Sequence, residues 1–92
     1  MAYLFAHFQI DDFDAWKNDR FDADPAGRKE AAKAHVIYRG ADDPSQVYIA
    51  VEFESTDQAQ DFRRRLLDSG ALDAIDVKTQ PTVVDVADQA QY

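Results

Sequence analysis

The chain has 92 residues and a mass of 10.4 kDa, which suits one domain and not two. Hydrophobic residues make up 46%, enough for a packed core rather than a disordered tail. Eighteen acidic against ten basic residues give a net charge of −8, which argues against nucleic acid and anionic membranes as partners, and the lack of cysteine excludes disulfides, thiolate catalysis and Cys-based metal sites.

Residues 3–10 alternate in a run rich in aromatic and branched side chains, which predicts the first strand. Asp11 and Asp12 can cap a helix beginning near Phe13, with Phe13, Trp16, Lys17, Arg20 and Phe21 as a rough stripe. Asp24-Pro25 reads as an N-cap followed by proline at the first helical position, predicting a helix over 25–33 weakened by Gly27. Residues 34–39 form the second strand and 40–45 a turn. Residues 46–54 alternate cleanly and form the third strand. Ser55 and Gln58 read as a capping box, opening a helix with Ala59, Phe62, Leu66 and Leu67 on one stripe and Gly70 at its C-terminal cap. Leu72 and Ile75 suggest a further short turn. Residues 78–86 form the fourth strand, where Pro81 suits an edge or a bulge, and 87–92 are a polar tail.

The order β-α-β-β-α-β is that of the ferredoxin-like α+β fold: one four-stranded antiparallel sheet with helices on one face. Parity then divides the sheet. Val47, Ile49, Val51 and Phe53 share one face with Leu4, Ala6, Phe8 and Ile10. Pairing Arg39 with Gln46 in the second hairpin would set Val36 opposite Ile49 and Ile37 opposite Tyr48. The second face then holds Tyr3, Phe5, His7, His35, Ile37, Arg39, Tyr48 and Glu52. That set is too aromatic for a solvated face and too polar for an ordinary core. A cover from a second copy, leaving a pocket beneath it, reconciles the two.

Two segments carry a family resemblance: Asp12-Phe13-Asp14-Ala15-Trp16-Lys17 after the first strand, and the run from His35 through Arg39-Gly40-Ala41-Asp42-Asp43 to Pro44. With the element order they resemble the small dimeric α/β-barrel proteins, the antibiotic-biosynthesis-monooxygenase-like members above all, over about residues 2–86. The resemblance implies a homodimer whose sheets face each other, with a small-molecule cavity on the non-helical face. Members of the family include cofactor-free oxygenases of aromatic polyketides, haem-degrading enzymes, isomerases and cyclases. The haem-degrading members use an Asn on the first strand and a His on the second long helix. Here the strand offers His7 or Gln9 and the helix no His, so that activity is not matched.

The expected chemistry needs no cofactor. His7 would serve as acid/base, since an imidazole can take or give a proton near neutral pH. Tyr48 and Arg39 would polarise the substrate, and dioxygen would react with the deprotonated substrate itself. Tyr3, Phe5, His35, Ile37, Glu52 and Trp16 would line its binding site, an aromatic or polyketide-like molecule held between sheet and helices. A His7/His35/Glu52 metal site is disfavoured because its spacing matches no known motif. The alternative is a non-catalytic binder or a structural homodimer with a filled interior, in which His7 is a hydrogen-bonded interface histidine. Arg63-Arg64-Arg65 reads as a solvated helix face among acids. No phosphate loop, nucleophile elbow or flavin fingerprint occurs. The apolar stretch at 3–8 is too short and lacks a basic leader for export, so a cytoplasmic location is expected. Fifteen Asp against three Glu and four Lys matches a halophilic surface and equally a GC-rich coding bias.

Overall fold

A computed structural model describes residues 1–92. The strands are β1 (Ala2–Gln9), β2 (Ala34–Arg39), β3 (Gln46–Phe53) and β4 (Asp76–Asp85), and the α-helices are α1 (Phe13–Trp16), α2 (Arg28–Ala31) and α3 (Thr56–Asp68). They build one antiparallel sheet in the order β2-β3-β1-β4, with the helices on one face, which is the ferredoxin-like arrangement. No helix is long and apolar enough to cross a membrane.

Alternation decides which residues enter the core. Leu4, Ala6 and Phe8 of β1 and Val47, Ile49, Val51 and Phe53 of β3 are buried beneath the helices, while their neighbours point to the open face. Phe62 and Ala59 of α3 close this core, with the Phe62 ring 5.4 Å from that of Phe53. The Ser55 hydroxyl accepts from the Gln58 amide at 3.2 Å, so that half of the expected capping box caps α3. Gly70 stands beyond the far end at φ 75°, a conformation in which a side chain would be strained. Pro81 is fully buried where the β1–β4 register shifts, and its carbonyl accepts from Arg63 Nε at 2.7 Å, tying the irregular edge strand to α3.

Three expectations change. The stripe 13–21 is one α-turn that widens into a π-helical turn, Lys17–Phe21, closed by the Asp22 amide on the Lys17 carbonyl at 2.9 Å. The widening brings residues five apart together, and the Trp16 and Phe21 rings lie 5.2 Å apart in the core. The helix expected over 25–33 shrinks to Arg28–Ala31. Asp24, itself at φ 56°, caps it from four residues ahead by accepting from the Arg28 and Lys29 amides, and Gly27 rather than Pro25 makes the turn into it.

The third change moves a whole strand. Arg39 pairs with Val47, not Gln46, so Ile37 faces Ile49 and Tyr38 faces Tyr48. A one-residue slip turns every side chain over. His35, Ile37 and Arg39 therefore lie on the helical side, and Val36 and Tyr38 on the open side. The reason is the core: Ile37 alone in the strand is half-buried, and it takes the helical side, while His35 and Arg39 stay exposed and touch rings of the helical layer. His35 meets the Phe21 ring edge-on at 5.0 Å, and the Arg39 guanidinium sits 4.5 Å over Phe13. Ile37 packs against the core. Gly40 makes the following turn possible, since a Cβ there would run into the Asp43 carbonyl.

Candidate functional site

The two faces of the sheet carry two different arrangements. On the helical side an apolar cavity of about 80 Å³ lies between sheet and helices. Its floor is Leu4, Ala6, Phe8, Ile49 and Val51; its roof is Trp16, Phe21, Phe62 and Leu66, with Leu72 and Ile75 from the turn after α3. This is on the opposite side from the cavity that the resemblance implied. Of the expected lining residues only Trp16 takes part. Phe21, Phe62 and Leu66, legible in the sequence only as core stripe, complete it.

The only ionisable side chains at this cavity are Arg20 and Arg28. Arg28 is buried, with its guanidinium stacked 3.7 Å from the Phe21 ring centre and Nη1 donating to the Phe21 carbonyl at 3.0 Å. Burial lowers its pKa below the ordinary guanidinium value, and Asp24 (4.0 Å away) and Asp22 oppose that shift. A guanidinium stays protonated in a protein, so Arg28 offers fixed positive charge beside an apolar void. It can hold an anion but cannot accept a proton.

On the open side, β-pairing lines up Tyr38, Tyr48 and His7 across three strands. The His7 and Tyr48 rings stack at 4.3 Å and 18°. Below them run Val36, Ala50, Phe5 and Thr82, then Ala34, Glu52, Tyr3 and Val84. Val36 (46% exposed), Tyr38 (57%) and Val84 (40%) leave this face partly apolar and open. So Tyr3, Phe5, His7, Tyr48 and Glu52 share the face they were expected to share, while His35, Ile37 and Arg39 do not. His7 and His35 lie on opposite sides of the sheet and cannot meet on one metal ion.

His7 is held by a relay. Its Nε2 lies 2.7 Å from Gln46 Oε1, Gln46 Nε2 donates to Asp43 at 3.3 Å, and Asp43 also accepts from the Ser45 hydroxyl and amide. Those bonds, the Ser45 hydroxyl first, hold the Asp43 carboxyl below its usual 3.8, so it accepts only. The Gln46 amide must then point its NH₂ at Asp43 and its oxygen at His7, which leaves the proton on Nε2 and the lone pair on Nδ1. In Gln46→Leu this tautomer loses its anchor. The imidazole ¹⁵N shifts should show a single Nε2–H form in the natural protein and a mixture in the variant. A mixture in both would mean that the relay does not hold.

His35, though exposed overall, titrates below its ordinary 6.5, chiefly because the side of the ring set against Phe21 loses water, which penalises the charged form, then because Arg28 and Lys17 repel it; Asp22 opposes. Above about pH 6.5 the ring is neutral both folded and unfolded. As pH falls through 6.5 toward the lower folded value, the unfolded chain binds the proton first and stability drops. His35→Gln should flatten the stability profile just below pH 6.5, as measured by urea unfolding from pH 5 to 8. An unchanged slope would contradict this.

No protein-family model matches the chain, and none of the curated proteins matches it. Among solved structures it is similar to that of Rv0793 from Mycobacterium tuberculosis, at 19% identity and a TM-score of 0.60 over 98% of each chain. It is also similar to the crystal structure of an antibiotic biosynthesis monooxygenase, at 15% identity and a TM-score of 0.55, over 96% of this chain and 100% of that one. At such identities the likeness establishes the fold.

Proposed function

We propose that this protein is a small-molecule-binding homodimer that takes an apolar, ring-containing ligand with one acidic group into the cavity between sheet and helices. The observation that carries this reading is the cavity itself, an apolar void closed by Trp16 and Phe21 with the cationic Arg28 at its edge. Ligand pockets are mostly apolar with a few placed polar groups. The void of about 80 Å³ is smaller than a cavity that holds benzene, roughly 150 Å³. A ring therefore enters only as the roof yields. The roof over residues 13–31 consists of four- and five-residue helical pieces, which have no stability apart from their packing.

The chemistry that suits such a site is cofactor-free oxygenation of an aromatic, polyketide-like substrate. A phenolic ligand would ionise in solution, be held as its anion by Arg28 and Arg20, and pass electrons directly to dioxygen. A ring methylene becomes a carbonyl: one oxygen atom enters the carbon, and the other leaves as water with the two hydrogens. His7 and Tyr48, on the other side of the sheet, act on the second copy and not on this ligand. That departs from the acid/base role expected for His7.

A thermal-shift screen of apolar phenols followed by oxygen uptake tests the reading. A stabilising phenol that loses its effect in Arg28→Gln supports it, because a ligand of the native state alone raises the melting temperature. Oxygen uptake that survives His7→Gln makes the protein an enzyme of this type, and binding without uptake leaves a binder. If no phenol stabilises the protein, the cavity is only a packing void and the proposal fails.

A further inference from the structure

Lysine is scarce in this chain, and its distribution is uneven. Three of the four, Lys17, Lys29 and Lys33, gather with Arg28 and His35 at the end of the helical layer. A hollow of about 200 Å³ opens there, lined by Asp22, Arg28, Lys29, Lys33 and His35. Its carboxylates are already engaged. Both oxygens of Asp22 accept from Lys17 Nζ, at 2.7 and 2.8 Å, and Asp24 faces Arg28. Lys29 and Lys33 have no carboxylate within 4.0 Å, and the hydrogen bond that the Lys29 ammonium makes is a long one, 3.4 Å, to the Asp22 carbonyl. Glu30, on the same short helix, does not line the hollow.

The lining carries three cations (Arg28, Lys29 and Lys33) against one carboxylate, Asp22, which Lys17 already pairs, within a chain of net charge −8. Like charges gathered without partners raise the energy of the fold unless an anion joins them. We propose that this hollow binds a small tetrahedral oxyanion of the phosphate type, held by the ammonium groups of Lys29 and Lys33 with the His35 imidazole as a further donor. The surrounding negative charge disfavours long polyanions, so the ligand is a small phosphorylated or sulfated molecule. The proposal does not depend on the cavity ligand, since the hollow is lined by other residues apart from Arg28.

The positive field is felt at His35, where repulsion by Arg28 and Lys17 adds to burial in lowering the pKa and Asp22 only partly offsets them. A bound dianion reverses that field. The chain has two histidines, one in the hollow and His7 on the other side of the sheet, so the second is an internal reference. The test follows both imidazole C–H signals by NMR while pH is varied with and without sodium sulfate, which stays a dianion throughout, against sodium chloride at equal ionic strength.

Sulfate should raise the His35 midpoint by ~0.5 unit or more, saturably, and leave His7 where it was. The double variant Lys29→Gln, Lys33→Gln, at two exposed positions, should weaken the response about tenfold. Chloride matching sulfate, equal movement of both histidines, or an undiminished response in the double variant would each overturn the proposal.

Discussion

Replacing Phe53 by alanine is expected to cost about 3–5 kcal/mol of folding stability, a large share of the roughly 5–15 kcal/mol that holds a domain together. Phe53 is 0% exposed, and its ring packs at 40° against Phe62, so it joins the central sheet to the only long helix. Removing the ring loses its transfer energy and leaves a void that α3 can only partly fill. The melting temperature should fall by more than ~10 °C, and Phe53→Leu, which keeps most of the volume, should cost under ~1.5 kcal/mol. Urea unfolding measures both. A loss below ~1 kcal/mol for the alanine variant would mean that the β3–α3 contact does not hold the fold.

The second large effect is on assembly. If a twin subunit covers the open face, Phe5→Asp places a charge at its centre, beside Ala50 and Thr82 on the neighbouring strands. A buried carboxylate with no partner costs several kcal/mol, enough to separate two subunits. Light scattering should show twice 10.4 kDa for the natural protein and 10.4 kDa for the variant, with unchanged far-ultraviolet circular dichroism. A symmetric pairing suits a face that meets itself, since each aromatic row can stack against its own copy. A natural protein that already sediments as a single subunit would refute this role for the face.

What the sequence revealed depended on whether a signal was local. The alternation of β1 and β3, the Ser55 cap and the Gly70 stop are written in neighbouring residues, and each is where the pattern places it. The register of β2 is not local. Val36 and Tyr38 on one parity and Ile37 on the other are both apolar enough to enter the core. The core takes Ile37, the one half-buried residue of the strand, and His35 and Arg39 then meet Phe21 and Phe13 on that same side. The fate of residues 25–33 was hidden for a similar reason. Asp24 caps Arg28 and Lys29 from outside the expected helix, so cap and helix were not adjacent.

The cavity between sheet and helices is hard to read from sequence, because a mixture of rings and polar groups looks more like a site than a smooth aliphatic face does. A void is set by the summed volumes of side chains from β1, β3, α3 and the segments around them, which no single stretch records. Arg28 was missed as well, since a basic residue is ordinarily exposed. Its place opposite Asp24, four residues earlier, was the available clue.

The claim on which the rest turns is that ligand and partner use opposite sides of the sheet. Trp16 is the only tryptophan, and its indole roofs the cavity. Titrating the protein with a stabilising phenol while recording NMR spectra should move the Trp16 indole signal and the Ile49 and Leu66 methyls, and leave the His7, Tyr38 and Tyr48 rings in place. Shifts confined to those three rings, with Trp16 still, would put the ligand on the open face and contradict the account.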